Sequence, residues 1–360
     1  MNTLLLVAGR EIRTRIRTRS FIISLAVSAL LVVGLAFVPK FLSGPDTYKV
    51  AVVGPTPAAV ENIAFTPYPD EAAARAALAG GDADAALIDD RKIVSEGELD
   101  QRLGLLLENA HREAKIKSSG LVITPLQVET GADAQYEGVR TGIATLLVMV
   151  LFFLLIYSAM YVAMGVVEEK SSRIVEILLA AVRPWQLFGG KIVGLGTLGL
   201  INLGVVIGAG LAAASATGLV ADLPPGMTGI VIGTVLWFVL GYAFFSALAA
   251  AFGSLVSRQE ELNSVLTPMT TLMTLTYLVA YFAAVEPMGT LARVLSIVPP
   301  FSSMVMPVRS AATEVPVAEI ALSAGLMVVA VVAVLLAGAR VYNRAVLRTG
   351  ARVKLAEALR

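Results

Sequence analysis

Six long runs of apolar residues are the feature that most restricts what this chain can fold into. A helix needs about 20 apolar residues to cross the hydrocarbon core of a bilayer. Every backbone polar group inside lipid has to be satisfied within the protein, and a single run of this length meets that demand as a helix. The sequence therefore predicts six transmembrane helices, over residues 20–38, 141–166, 188–217, 229–255, 265–284 and 318–339.

The composition excludes a soluble globular protein and several kinds of reactive site. Hydrophobic residues make up 57% of the chain and charged residues 15%, and the mean hydropathy of +0.79 lies far outside the range of soluble domains. The chain has no cysteine and one histidine, His111, so thiolate chemistry and a multi-histidine site are excluded. We predict no catalytic, cofactor-binding or metal-binding residues in this chain and no nucleic-acid partner.

The positive charges predict that both termini lie in the cytoplasm, because Lys and Arg concentrate beside the cytoplasmic ends of spans. Five arginines precede the first run, whereas the short outer segments carry only Arg293 and Arg309. Residues 39–140 then lie outside, with 10 Lys and Arg against 16 Asp and Glu. A cleavable signal peptide is the alternative for the first run, but its length and the missing small-x-small site favour an uncleaved anchor.

Strand and helix patterns alternate in the outer segment, which is typical of a compact α/β unit. Asp70 is a candidate N-cap, and Ser95 and Glu98 have the spacing of a capping box. The predicted elements are strands over residues 48–53, 85–88 and 121–123 with 126–128, and helices over residues 70–78 and 95–118.

The predicted fold class is an α-helical polytopic membrane protein, with six transmembrane helices and a small α/β extracytoplasmic domain inserted between helices 1 and 2. An amphipathic cytoplasmic arm, residues 1–19, precedes the first helix, and a basic cytoplasmic tail, residues 341–360, ends the chain. The main membrane domain covers residues 141–340. Within it, the proline-rich outer segment 285–316 is expected to form a helical excursion that dips toward the membrane, which requires that it is buried in protein or lines water.

A charged stretch interrupts the apolar sequence between the second and third runs. Residues 166–191 have the sequence VVEEKSSRIVEILLAAVRPWQLFGGK. Glu169 and Arg173 lie four positions apart and are expected to pair, while Pro184 is expected to end the helix. The sequence predicts an amphipathic cytoplasmic helix over residues 166–184. Its apolar face carries Ile174, Ile177, Leu178 and Ala181.

This order of parts resembles the permease subunit of ABC-type exporters of the second membrane-domain class, in particular the NatB-like branch of sodium and drug efflux permeases. The likeness covers essentially the full length and is closest over residues 161–191. In that family the segment matching residues 168–181 is the coupling helix, which docks on the nucleotide-binding subunit. The ATPase-coupling residues that the resemblance implies are Glu168, Glu169, Lys170, Arg173, Ile174, Glu176, Ile177, Leu178, Arg183 and Pro184.

The resemblance also implies partners. No G-x-x-x-x-G-K-[ST] P-loop occurs in the sequence, so ATP and Mg²⁺ would be bound by a separate ABC ATPase subunit. A second permease subunit, forming a homodimer or a heterodimer, would complete the assembly in the lipid bilayer of the cell membrane. The implied function is export of a small solute or amphipathic compound. The alternative is a mechanotransducer of the same build, whose outer domain acts on an envelope partner without solute transport.

A passive interfacial helix is the competing interpretation of residues 168–181. Such a helix is rich in Lys and Arg on its polar face. Here Glu168, Glu169 and Glu176 match or outnumber the basic residues, and anionic lipid would repel them. The acidic character favours docking on a protein.

A polar stripe runs along the fifth predicted helix. Polar residues within spans tend to face a bundle interior or a water-filled path, but threonines can instead bond to carbonyls of their own helix. Both interpretations stay open. Together with Tyr157 of the second helix, the candidate pathway residues are Asn263, Thr267, Thr270, Thr271 and Thr274.

Two further patterns bear on substrate and packing. No carboxylate lies in the middle of a predicted span, and because cation relays normally use intramembrane acids, this argues against sodium without excluding it. In the third run, Gly204 and Gly208 form a G-x-x-x-G pattern that predicts close helix packing.

Overall fold

The computed structural model describes residues 3–42, 47–57, 60, 62–89, 91–95, 99, 101–118, 136–172, 182–218, 220 and 223–345. The chain divides into two compact units. Met1–Phe37 and Gly131–Arg360 form the membrane unit, and Val38–Thr130 forms the smaller unit. The elements in chain order are α1 (Thr3–Arg15), α2 (Arg19–Leu42), β1 (Tyr48–Val53), β2 (Ile63–Pro67), α3 (Glu71–Ala79), β3 (Ala85–Ile88), β4 (Lys92–Val94), α4 (Gln101–Ser118), α5 (Glu137–Ser171), α6 (Pro184–Thr217), α7 (Met227–Ser254), α8 (Leu262–Val285), α9 (Thr290–Leu295), α10 (Ser302–Ala312) and α11 (Val317–Ala345).

Among the residues that the structure describes, six helices of the membrane unit are long and apolar enough to cross a bilayer, which confirms the predicted polytopic helical architecture. They are α2, α5, α6, α7, α8 with its preceding 3₁₀ turn, and α11. At about 1.5 Å per residue, α5 is about 50 Å long and exceeds a hydrocarbon core of about 30 Å. Its ends therefore project past the apolar layer.

The proline-rich segment folds as two short helices, α9 and α10, and α10 is almost entirely buried against α5, α7 and α8. Arg309 of α10 is 2% exposed. Its Nε donates to the Pro287 carbonyl at 3.1 Å, and its Nη1 donates to Ser296 Oγ at 3.1 Å and to Glu319 Oε2 at 2.6 Å. These partners satisfy a charge that would be very costly to bury alone, so the expected helical excursion is buried in protein.

Glycines let α6 approach its neighbours closely. A Cβ built on Gly190 would lie 2.7 Å from Val7 Cβ, and one on Gly194 would lie 2.8 Å from the Ala8 carbonyl oxygen. The close-packing G-x-x-x-G pair is therefore Gly190 and Gly194, where α1 crosses α6.

The predicted G-x-x-x-G pair lies elsewhere on the same helix. A Cβ on Gly204 or Gly208 would meet no atom within 4 Å, and both positions are at least partly exposed. Within the described part of the chain, these two glycines pack against no other helix.

The described residues of the smaller unit include a four-stranded sheet in the order β2-β1-β3-β4. Strand β1 is parallel to β2 and β3, while β4 is antiparallel to β3. Alternate residues of β1 point to opposite faces. Val50 packs with Leu103 and Leu107 of α4, and Ala51 packs with Ala74 of α3. The unit thus has its own two apolar cores.

The predictions for this unit hold in part. Strands β1 and β3 have the predicted bounds, and Asp70 caps α3 by accepting from the Ala73 N–H at 2.7 Å. Helix α4 begins at Gln101, not at Ser95; Ser95 and Leu99 are not helical, and Glu98 of the proposed capping box lies outside the described residues. Strand residues 121–128 also lie outside them. Strands β2 and β4 were not predicted, because both are short and partly exposed.

We expect Gly194→Ala to loosen α1 from α6. The new methyl would overlap the backbone of α1, and overpacking of this kind costs about 1–3 kcal/mol. A spin label on Leu5→Cys can report this, because Leu5 is 61% exposed and the chain has no other cysteine. The label should become more mobile in Gly194→Ala and stay unchanged in Gly204→Ala. Equal mobility in both variants would contradict the described packing.

Candidate functional site

The charged stretch begins inside the second membrane helix. Helix α5 continues without a break to Ser171, so Glu168, Glu169 and Lys170 lie in its last turns. The helix stops where Ser172 bonds back to it: the Ser172 N–H and Oγ donate to the Glu168 carbonyl at 3.1 Å and 2.7 Å. Helix α5 therefore continues past residue 166, where the sequence places the end of the span, and the helical break follows Ser171.

Glu169 faces the protein, and its partners come from two other helices. Its Oε1 accepts from Arg10 Nη2 of α1 at 2.5 Å. Its Oε2 lies 3.1 Å from Lys191 Nζ of α6, which is an ion-pair distance, although the two atoms are not aligned as a hydrogen bond. The predicted partner Arg173 lies outside the described residues.

Glu11 completes the centre of this arrangement. Glu11 and Lys191 are each 2% exposed, and Lys191 Nζ lies 3.6 Å from Glu11 Oε1. Arg10 Nη2 donates to the same oxygen at 2.7 Å, and Arg15 Nε lies 3.7 Å from Oε2. Two buried carboxylates thus share one buried ammonium group.

Arg15 extends the arrangement toward solvent. Its guanidinium donates to Glu168 Oε2 at 3.3 Å and lies 4.6 Å from the ring centroid of Tyr161, a cation–π contact. Gly165 makes room for it, since a Cβ there would lie 3.0 Å from Arg15 Nη2. We call the six ionised side chains the charge cluster: Arg10, Glu11, Arg15, Glu168, Glu169 and Lys191.

The charge cluster is balanced, with three carboxylates and three cations. Burial by itself raises the pKa of Glu11, but Lys191, Arg10 and Arg15 more than offset this and hold the pKa below its usual range. The carboxylate is therefore kept ionised by the helices it joins.

Lys170 points in a different direction from Glu169. It is 1% exposed, and its Nζ donates to the Ser254 carbonyl at 2.6 Å and to the Ala345 carbonyl at 2.8 Å. Ser254 is the last residue of α7, where carbonyls lack helical partners and a cation is favoured. Ala345 is the last described residue of α11. Adjacent residues of α5 therefore connect to four helices: Glu169 to α1 and α6, and Lys170 to α7 and α11.

The far side of the charged stretch is the start of α6. Arg183 is exposed and extended, as expected before a proline, and its N–H donates to Gln186 Oε1 at 3.2 Å. Pro184 is the first residue of α6, a position that suits proline because it needs no N–H donor. The coupling residues Arg173, Ile174, Glu176, Ile177 and Leu178 lie outside the described residues.

The candidate pathway residues lie on the outside of the single chain. Thr270 is half-buried, and the other four members of the α8 stripe are exposed. Thr267, Thr270 and Thr274 donate to carbonyls of Asn263, Thr267 and Thr270 at 2.9–3.0 Å. Tyr157 stacks on Tyr161 at 5.6 Å and is not part of this stripe.

Sequence reasoning missed the partners that organise the site. Glu11 is the one acid in an arm of five arginines, and Lys191 is a lone charge within an apolar run. A charged residue in such a position needs a counter-charge if it is buried. Glu11 and Lys191 together could therefore have predicted a buried ion pair. Within the described residues, no group of three or more His, Asp or Glu side chains could hold a metal ion.

We expect Lys191→Met to destabilise the membrane unit, because it leaves Glu11 and Glu169 buried without their shared cation. Removing one partner of a buried pair costs about 3–5 kcal/mol. Adding Glu11→Gln should recover part of the loss, and thermal unfolding in detergent measures both effects. The control is Lys92→Met, which breaks an exposed 3.3 Å pair with Glu71 and should cost less than about 1 kcal/mol. A loss no larger than the control's would show that the buried pairs contribute little.

We expect acid to release α1. Since the pKa of Glu11 is lower in the folded chain, its stabilisation is complete above the ordinary value of about 4.3 and is lost as pH falls through the lowered value. A spin label at Leu5→Cys should gain mobility between about pH 5 and pH 3. The Glu11→Gln variant should be more mobile at neutral pH and respond less to acid. An identical acid response in both would assign the transition to other groups.

Comparison with known proteins agrees with this architecture. A family model described as ABC-2 family transporter protein matches residues 19–340. The chain is 33% identical over 233 residues to the uncharacterized protein YhaP of Bacillus subtilis (strain 168), which covers 62% of this chain and 56% of YhaP. It is 23% identical over 363 residues to the uncharacterized protein MJ1024 of Methanocaldococcus jannaschii, covering 91% of this chain and 89% of that protein.

The match to YhaP thus spans little more than half of that protein's length. No solved structure matches the chain. The family match is broader, because it extends from the start of α2 almost to the end of α11. Proteins of this family are membrane components that work with ATPase subunits in ABC transporters. This chain belongs to the ABC-2 family of transporter membrane proteins.

Proposed function

We propose that this chain is the permease subunit of an ATP-driven exporter and that a separate ATPase subunit docks on residues 168–181. The observation that carries the proposal is the double anchorage of α5 immediately before this segment. Glu169 is bound to α1 and α6, and Lys170 to the ends of α7 and α11. A displacement of the segment would therefore be passed to four helices at once.

The docking role and the transmitting role fall to different residues. Glu169 and Lys170 are buried, so their side chains suit transmission better than contact with a partner. Glu168, Arg183 and Trp185 are exposed on either side of residues 173–181. We assign docking to this exposed set with residues 173–181, and transmission to the charge cluster and Lys170.

The exposed stripe of α8 supports a second permease subunit. Its hydroxyls bond to carbonyls of their own helix, so the stripe could tolerate contact with lipid. A polar stripe is nevertheless more stable against a partner or a water-filled path. We propose that two such stripes face one another in a homodimer or heterodimer and line the path of a small solute or amphipathic compound. A NatB-like assignment, with sodium as cargo, has no intramembrane acid to support it.

The mechanotransducer is the second candidate, supported by the smaller unit. That unit has a sheet and two apolar cores of its own, as a domain that acts on an envelope partner would need. Reconstituted vesicles separate the two functions. ATP-dependent solute flux supports the exporter, whereas intact ATPase activity without flux of any tested solute supports the mechanotransducer.

We expect docking and transmission to fail in different ways. Charge reversal at Arg173 and Glu176 should abolish copurification with the ATPase subunit. Lys170→Met should preserve copurification, because Lys170 is buried, but should reduce ATP-driven transport at least about tenfold, since two helix ends lose their shared donor. Both outcomes can be measured on the same purified complex.

The control for docking is Arg258→Glu, an exposed charge in the turn before α8, which should leave copurification unchanged. Normal copurification and normal transport in the Arg173 and Glu176 reversals would overturn the docking assignment. Normal transport in a folded Lys170→Met complex would overturn the transmission assignment.

A further inference from the structure

A cavity of about 480 Å³ opens in the membrane unit where α5 and α7 begin. The ends of α10 and the start of α11 complete its wall. Its volume falls within the range of small-molecule sites, about 300–1,000 Å³. It lies at the opposite end of α5 from the charge cluster, so it belongs to neither the docking segment nor the α8 stripe.

Arg140, in the first turn of α5, lines this cavity and is 9% exposed. Its Nε has no hydrogen-bond partner in the part of the chain that the structure describes, and no ion pair within 4 Å is formed there. Arg309 lies in the neighbouring α10 and has three hydrogen bonds. A buried N–H donor without an acceptor is costly, so Arg140 presents an unpaired donor at the wall of the cavity.

The rest of the lining restricts what that anion can be attached to. Ile230, Trp237, Pro307, Val315 and Ile320 give the cavity an apolar wall, which favours an alkyl or acyl chain. The polar atoms near them are few: the hydroxyls of Ser310 and Thr313 and the carboxylate of Glu314.

Glycines open one side of the cavity. Gly229 and Gly233 are one helical turn apart on the face of α7 that carries Trp237. A Cβ at either position would meet nothing within 4 Å. The space therefore follows in part from these glycines, and a side chain added at either position would begin in open space.

We propose that this cavity binds the headgroup phosphate of an amphiphile, with Arg140 as its bidentate donor and an alkyl or acyl chain along the apolar wall. A planar guanidinium matches two phosphate oxygens. The hydroxyls of Ser310 and Thr313 are further donors for the same group. This inference is independent of the ATPase-docking proposal, because it concerns ligand binding by the isolated chain.

Trp237 supplies the test, since it is 1% exposed and lines the cavity. The chain has two tryptophans, so Trp185→Phe leaves Trp237 as the sole emitter. The purified chain is held in an uncharged maltoside detergent and titrated with phosphatidylglycerol brominated on its acyl chains. We expect saturable quenching of Trp237 that unbrominated phosphatidylglycerol reverses and that inorganic phosphate at the same concentration does not.

Substitutions at two positions probe the site from different sides. Arg140→Gln should raise the lipid concentration at half-maximal quenching at least about tenfold. Arg140→Lys should raise it less, because the positive charge remains although the planar guanidinium is lost. Gly233→Leu should abolish saturable quenching by filling the cavity from α7. The matched control is Trp185 in a Trp237→Phe background: it is 48% exposed, and the Arg140 substitutions should not alter its quenching.

Three results would overturn the proposal. Quenching of Trp237 that rises without saturation would indicate contact with the micelle alone. An equal half-saturating lipid concentration in Arg140→Gln and its parent would exclude the guanidinium as the phosphate donor, provided that thermal unfolding shows both proteins to be folded. Reversal by inorganic phosphate as effective as by the lipid would assign the site to free phosphate and remove the role of the apolar wall.

Discussion

The ammonium group of Lys191, buried between Glu11 and Glu169, is the interaction on which the rest of the membrane unit depends. None of these charges is stable there alone, because each would lose its hydration without compensation. Together they hold α1, α5 and α6 at one point. The close approach needed for this comes from Gly190 and Gly194, where a side chain would strike α1.

A second point of attachment lies one residue further along α5. Lys170 donates to carbonyls of Ser254 in α7 and Ala345 in α11, so a single turn of α5 is attached to four other helices. A rigid attachment of this kind suits a segment that transmits force, because packed helices shift as units and do not deform continuously. Under the proposed function, these buried charges would pass a displacement of the docking segment to the membrane unit.

A buried arginine needs hydrogen-bond partners, and the two buried arginines at the other end of the membrane unit differ in how far they find them. Arg309 satisfies its guanidinium with the chain's own carbonyl, hydroxyl and carboxylate, and this lets α10 lie within the protein. Arg140 borders a cavity and has no such set among the described residues. Because the fold satisfies Arg309 so fully, the unpaired Nε of Arg140 is informative about ligands.

The sequence by itself determined the six spans, the strands β1 and β3, and the capped helix α3. Apolar length, β-branched runs and cap chemistry are local properties, and they survive any tertiary arrangement. It could not determine that Glu169 pairs with Arg10, a residue 159 positions away. Helical periodicity identifies the face on which a charge lies, but not which helix will cover that face. Only the tertiary structure decided that Glu169 and Lys170 are buried and that Arg140 borders a cavity, because burial depends on helices brought together from distant parts of the chain.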